Sequence, residues 1–212
     1  MQPVQDPAQS ARLVYRPAES PQDDTFFQTI NNDRVGYMNS NGANALLSNN
    51  ANAKRFQDYV SGKALLGAVI CLPPSSSSDA ATSPDIKEGT SEKPKPTPIG
   101  CIHLQPSSPE MAHHRHTEIG IDILPEWQGK GYGGEAISWV LDWAFDRLNL
   151  HKVMIRAFEY NEGAIRLYER IGFSREGRWK EYLWHDGRYW DDIQLGMLAR
   201  EWKEIKNNRA QS

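Results

Sequence analysis

Cysteine is scarce in this sequence: only Cys71 and Cys101 occur, each inside an apolar run and neither at metal-ligand or redox-motif spacing. The two read as buried free thiols. Long apolar runs are missing as well. None approaches the roughly 20 residues needed to cross a bilayer, and the N-terminus lacks the basic-then-apolar pattern of a secretory signal. No sign of charge dominates either: Lys and Arg total 24, Asp and Glu 27, for a formal net charge of -3. The charges are mixed along the chain, so no global field recommends nucleic acid or an anionic membrane as partner. The expectation is a soluble, cytoplasmic protein whose specificity comes from a local site.

The 212 residues suffice for one sizeable core, and one domain over 1–212 is the simplest count. After a short polar tail, Leu13 to Arg16 reads as a strand, Asp23 to Ile30 as an amphipathic segment and Asn52 to Tyr59 as a helical stretch. Ala64 to Leu72 and Ile99 to Leu104 are apolar runs of strand length that pair as antiparallel neighbours. Between them, Pro73 to Pro98 carries the Ser75 to Ser78 run, several prolines and almost no apolar residues. That composition does not offset its own ordering entropy, so 73–98 reads as a mobile hairpin insertion.

The second half is more regular. Thr117 to Leu124 reads as a strand, Tyr132 to Leu148 as a long helix, Lys152 to Phe158 as a strand and Glu162 to Ile171 as a short helix. Ile137, Val140, Leu141, Ala144 and Leu148 recur at helical spacing and mark the face of the long helix that enters the core. Two further runs, about 178–184 and 189–198, flank Asp186-Gly187, a strong hairpin signal. The expected architecture is an α/β layer mixing parallel and antiparallel strands and closing on a C-terminal hairpin.

Chemistry concentrates in Gln128-Gly129-Lys130-Gly131-Tyr132-Gly133-Gly134, between the end of a strand and the start of a helix. Glycines let successive backbone N–H groups point into one concavity, and a helix N-terminus adds unpaired donors and positive dipole charge. A phosphate-bearing ligand suits such a nest, with Lys130 adding charge. Gly129, Gly131 and Gly134 also fit G-x-G-x-x-G, and Glu159 ends the next strand, so a dinucleotide-dependent oxidoreductase competes. Against it stand Pro125-Glu126-Trp127 between strand and glycines, the few further β-α units and the closing hairpin.

The run Gln128-x-x-Gly131-x-Gly133, with Asn161-Glu162-x-Ala164-x-x-x-Tyr168-x-x-x-Gly172-Phe173 downstream, resembles the GNAT (Gcn5-related N-acetyltransferase) superfamily. The likeness is closest to its ribosomal-protein-alanine and spermidine acetyltransferase branches and runs from about Glu118 to Trp202. It implies a mixed, mostly antiparallel sheet around a β-α-β-α cofactor-binding core, and acetyl-CoA as co-substrate. It further implies a splayed strand pair in which the backbone of Ile121, Asp122 and Ile123 receives the pantetheine arm. Gln128, Gly129, Lys130, Gly131, Tyr132, Gly133 and Gly134 would hold the pyrophosphate, and Asn161 would contact the arm. Tyr168 would protonate the departing thiolate. The reaction implied is direct attack of a neutral primary amine on the thioester. A non-catalytic acyl-CoA-binding module is the alternative within the same fold.

Each of these residues also has a plainer role open to it. Tyr168 shares a helix face with Ala164, Leu167 and Ile171, the spacing of core residues, but an aliphatic face gains nothing from a hydroxyl unless something uses it. Asn161 stands where a helix N-cap would. Glu118, on the strand beside the cofactor, is the candidate general base, or else an ion-paired strand glutamate. His113, His114 and His116 flank Arg115 in a polar loop without a ligand pattern, and no metal is expected. Trp179, Tyr182, Trp184, Tyr189 and Trp190 line an acceptor pocket with Asp191 or Asp192, or else pack the hairpin or a homodimer contact.

Overall fold

The computed structural model describes residues 6–43, 47–74 and 95–211. Most of the 73–98 insertion therefore lies outside the described residues. Its last two residues do not belong to it, because the strand there begins at Thr97.

In chain order the elements are β1 (Val14–Arg16), α1 (Asp24–Asn32), α2 (Arg34–Ser40), α3 (Asn50–Gly62), β2 (Leu66–Leu72), β3 (Thr97–Leu104) and β4 (His116–Ile123). There follow α4 (Tyr132–Asp142), β5 (Lys152–Phe158), α5 (Glu162–Ile171), β6 (Ser174–His185), β7 (Arg188–Leu198) and α6 (Ala199–Gln211). Among the described residues seven strands form one sheet in the order β1-β2-β3-β4-β5-β7-β6. Only β4 and β5 run parallel; the other neighbours are antiparallel. A doubly wound parallel sheet is thereby excluded, and with it the architecture a dinucleotide-binding enzyme would need.

Alternation along the strands sends side chains to two different cores. On one face Ile102, Leu104, Ile119, Ile155, Leu195 and Met197 meet Ile137, Val140 and Leu141 of α4 and Trp202 of α6. On the other, Val69, Cys71 and Cys101 meet Phe26, Phe27 and Ile30 of α1 and Val60 of α3. Both thiols are free and buried, and burial pushes each above its ordinary pKa.

The long helix is shorter than its periodicity predicts. Regular α-helix ends at Asp142 and a turn of π-helix, Trp143–Arg147, carries the chain to Leu148. Ala144 stays buried while Leu148 is only partly so. The hairpin also departs from expectation: β6 starts at Ser174, inside a charged, exposed run that has no apolar alternation to announce a strand. His113 and His114 lie in a short 3₁₀ segment, Pro109–His114, rather than an irregular loop. Among the described residues no helix is long and apolar enough to cross a membrane.

Candidate active site

β4 and β5 pair through only three positions, His116 with Lys152, Thr117 with Val153 and Glu118 with Met154. Beyond these they part. β4 continues along β3 as far as Ile123, and β5 continues along β7 as far as Phe158. The ladder to β3 shows which groups the separation exposes. Gln105 N–H donates to the Glu118 carbonyl and Leu124 N–H to the Ile99 carbonyl, both at 2.9 Å. In an antiparallel pair the bonding direction alternates, so the even positions 118 to 124 bond toward β3 and Ile119, Ile121 and Ile123 turn their backbone groups toward β5. At Ile121 and Ile123 β5 is no longer there. The Ile123 carbonyl is taken by the Gln128 side-chain amide at 2.7 Å.

The glycine-rich run lies at the open end. Pro125–Trp127 makes a single 3₁₀ turn, after which Gly129 and Gly131 adopt positive φ, 71° and 84°. Gly131 is the N-cap of α4, and no side chain caps the helix. The first amides of α4 are thus left for a ligand, as an anion site requires. Gly133 and Gly134 sit in the first turn beside Leu167 of α5. Lys130 stacks over Trp127 at 4.7 Å.

α5 begins where Asn161 accepts from Ala164 N–H at 3.3 Å, so the N-cap role expected of Asn161 is real. Ile165, Tyr168 and Ile171 are its buried face, and Ala164 and Leu167 pack at its margin. Tyr168 is 8% exposed. Burial first, and the charge of Asp122 second, push its phenol above its ordinary pKa.

The opposite face of β4 is polar. Glu118 forms an ion pair with Arg156 at 3.0 Å, and Arg156 also reaches the fully buried Asp192 at 3.4 Å. Arg156 stands two residues past the last β4–β5 pair, so this network spans the point where the strands part. Burial pushes the Asp192 carboxyl up while Arg156 opposes the shift. Asp122 accepts from Ser40 of α2 at 3.3 Å, and burial raises its pKa to about 6. Gly120, between these two acids, lies under the His103 ring: a Cβ there would fall 2.3 Å from His103 Cε1. His103 is 8% exposed, its Nδ1 has no hydrogen-bond partner, and burial lowers its pKa to about 4. Neither Arg156 nor His103 was marked by the sequence. Each stands in an ordinary strand pattern and acquires meaning only from register.

Asp191 is not available to an acceptor. It contacts Arg178 and accepts from Glu181 N–H at 2.8 Å, anchoring the irregular stretch of β6. Glu159, the candidate ribose ligand of the dinucleotide reading, instead pairs with Arg178 at 3.2 Å. Trp179, Tyr182, Trp184 and Tyr189 are exposed on the hairpin, whereas Trp190 is held under Arg188 and beside Tyr160.

Among the described residues the sheet has a single parallel pair, which opens beside a glycine-rich helix start, and this is the arrangement that the resemblance to the acetyltransferase fold implies. The family model described as acetyltransferase (GNAT) domain matches residues 12–174, and the chain belongs to that family. A spermidine N(1)-acetyltransferase of Vibrio cholerae is 44% identical over 89 residues, covering 42% of this chain and 51% of that protein. A putative ribosomal N-acetyltransferase of Bacillus subtilis is 37% identical over 93 residues, covering 44% and 51%. The chain thus spans about half the length of these curated relatives. Among solved structures, the Vibrio cholerae spermidine N-acetyltransferase in complex with CoA and spermine superposes with a TM-score of 0.69 at 25% identity, over 92% of this chain and 99% of that one. A GNAT-family acetyltransferase from Bacillus anthracis gives the same TM-score at 20% identity and supports the fold.

Proposed function

We propose that this protein transfers the acetyl group of acetyl-CoA to a primary amine by direct attack, without a covalent enzyme intermediate. The observation that carries the reading is the parting of β4 from β5 just after Glu118, where Ile121 turns its backbone groups to a side that β5 no longer pairs and the Ile123 carbonyl is met by the Gln128 side chain, above the uncapped start of α4. In this reading the backbone of Ile121 and Ile123 receives the pantetheine arm as an extra strand, whereas Asp122, expected to share that role, directs its own backbone groups to β3. Gln128 to Gly134 hold the pyrophosphate, and the Asn161 carboxamide meets the arm while capping α5.

The amine approaches from the polar face. Glu118 accepts its proton, directly or through water. An ion pair with both partners partly open to solvent is worth about 0–1 kcal/mol, so an arriving ammonium group can compete with Arg156 for the carboxylate. Tyr168 faces the thioester from the other side. Because burial holds its proton tightly, its contribution is a hydrogen bond donated to the thiolate as charge develops there. The acidic groups at positions 118, 122 and 192 favour a cationic acceptor of the polyamine class, the class named for the Vibrio cholerae relative.

Thiol release measured with acetyl-CoA and a panel of amines tests the proposal. Spermidine or a similar polyamine is expected to release free CoA well above the amine-free rate. Tight acetyl-CoA binding with no amine-dependent release would leave a non-catalytic acyl-CoA-binding module. Binding of NADH in preference to acetyl-CoA would overturn the reading entirely.

A further inference from the structure

The segment before β1 reads as a polar tail, yet it is fastened to α4. Ser10 Oγ and the Arg12 backbone N–H both donate to Glu135 Oε1 at 2.7 Å, and Arg12 Nε donates to Oε2 at 2.8 Å. The Trp139 indole donates to the Pro7 carbonyl at 2.8 Å, and the Trp139 ring stacks on Tyr15 at 3.7 Å. These contacts aim the Arg12 guanidinium across the first turn of α4. Nη1 donates to the Lys130 carbonyl at 3.1 Å, and the group lies 4.7 Å over the Tyr132 ring. A Cβ on Gly131 would come within 3.2 Å of Nη2.

We infer that Arg12 is a positioning residue for the phosphate site, an assignment that rests on reading 128–134 as that site. In a trans peptide the carbonyl and the following N–H point in opposite directions. With the Lys130 oxygen held by Arg12, the Gly131 N–H is turned the other way. Gly131 has positive φ and is flanked by glycine at 129 and by the free amides of α4, so nothing else in its own backbone would keep that plane from rotating. A cation at a helix N-terminus opposes the dipole, and Glu135 in the first turn supplies the compensating charge. The side-chain fork is what matters: Nε serves Glu135 while Nη1 serves Lys130, a division that a single ammonium group does not reproduce.

The test compares two acyl donors, acetyl-CoA and S-acetylpantetheine, which carries the thioester but no phosphate. In the wild type kcat/KM is expected to favour acetyl-CoA strongly. Arg12→Ala is expected to reduce the ratio of the two kcat/KM values about tenfold, the effect of one lost charge-assisted hydrogen bond. Arg12→Lys keeps the ion pair with Glu135 and the melting temperature, and is expected to lose most of the same ratio. An equal loss with both donors in both variants would make Arg12 a fold staple and overturn the inference. So would full recovery of the ratio by lysine. A wild-type ratio near one overturns the phosphate reading and this inference together, whereas a strong wild-type preference left intact in both variants overturns this inference alone.

Discussion

The two faces of β4 are built from alternate residues of one eight-residue strand and have opposite characters. Ile119, Ile121 and Ile123 lie against the core formed with α4 and α5, which carries Tyr168. Glu118 and Asp122, with Gly120 between them, face His103, Arg156, Asp192 and Ser40. The first face is aliphatic packing, and the second gathers charged and polar side chains, several of them buried. The lesson is that a single strand with period two keeps an apolar face and a charged face apart, so that on the proposed reading the thioester and the amine are handled from opposite sides of the opening in the sheet.

Tyr168→Phe would strike the apolar face hardest. The ring is kept and only the proton donor is lost, so turnover is expected to fall roughly 10²-fold with little change in acetyl-CoA affinity. Single-turnover kinetics within twofold of wild type would return Tyr168 to plain packing. On the polar face, Glu118→Gln is expected to lower kcat/KM roughly tenfold near neutral pH while changing stability by less than about 1 kcal/mol, as befits a half-exposed ion pair. A several-degree drop in melting temperature with no effect on amine dependence would mark the pair with Arg156 as structural instead.

The smallest effect is a dependence on pH. The Asp122 carboxyl has its pKa raised from 3.8 to about 6, so between those values the folded state holds a proton that the unfolded state has released. Stability must therefore fall as pH rises through that window, and level off above it. His103, lowered from 6.5 to about 4, runs the other way and loses stability as pH falls through its own window. The difference between wild type and Asp122→Asn isolates the carboxyl. The variant is expected to be more stable at pH 7.5 by about 1 kcal/mol, discounted for partial exposure, and to match wild type near pH 4. Thermal melts across that range check it; a variant less stable at pH 7.5 would show that the ionised carboxylate is satisfied.

Much of the framework was legible in the sequence because local signals coincided. The glycine run announces the start of α4, periodicity places β4, α4, β5 and α5 in order, and Asp186-Gly187 marks the hairpin. Fold class and the antiparallel pairing of β2 with β3 followed from the same reasoning. What escaped depends on contacts distant in sequence. Arg12 and Glu135 are 123 positions apart, and nothing in the polar run before β1 hints at the bond. The α2 helix has no buried residue and hence no apolar stripe to reveal it. Arg156 and His103 were silent because a strand pattern records which face a residue occupies, and says nothing of what lies across from it. Gly131→Val is for the same reason no clean probe of ligand binding, since valine at positive φ strains the backbone and crowds Arg12 even without a ligand.

The brevity of the β4–β5 ladder has a thermodynamic corollary. Three residue pairs join the two halves of the sheet, and past them the β4–β5 ladder has a gap. An extended chain that fills this gap supplies the missing main-chain partners, so the folded state and the bound state share a hydrogen-bond network. By mass action, occupancy then adds RT ln(1 + [L]/Kd) to the free energy of unfolding. On the proposed reading the stability of this fold is a function of acetyl-CoA concentration, and its melting temperature is expected to rise as acetyl-CoA is added.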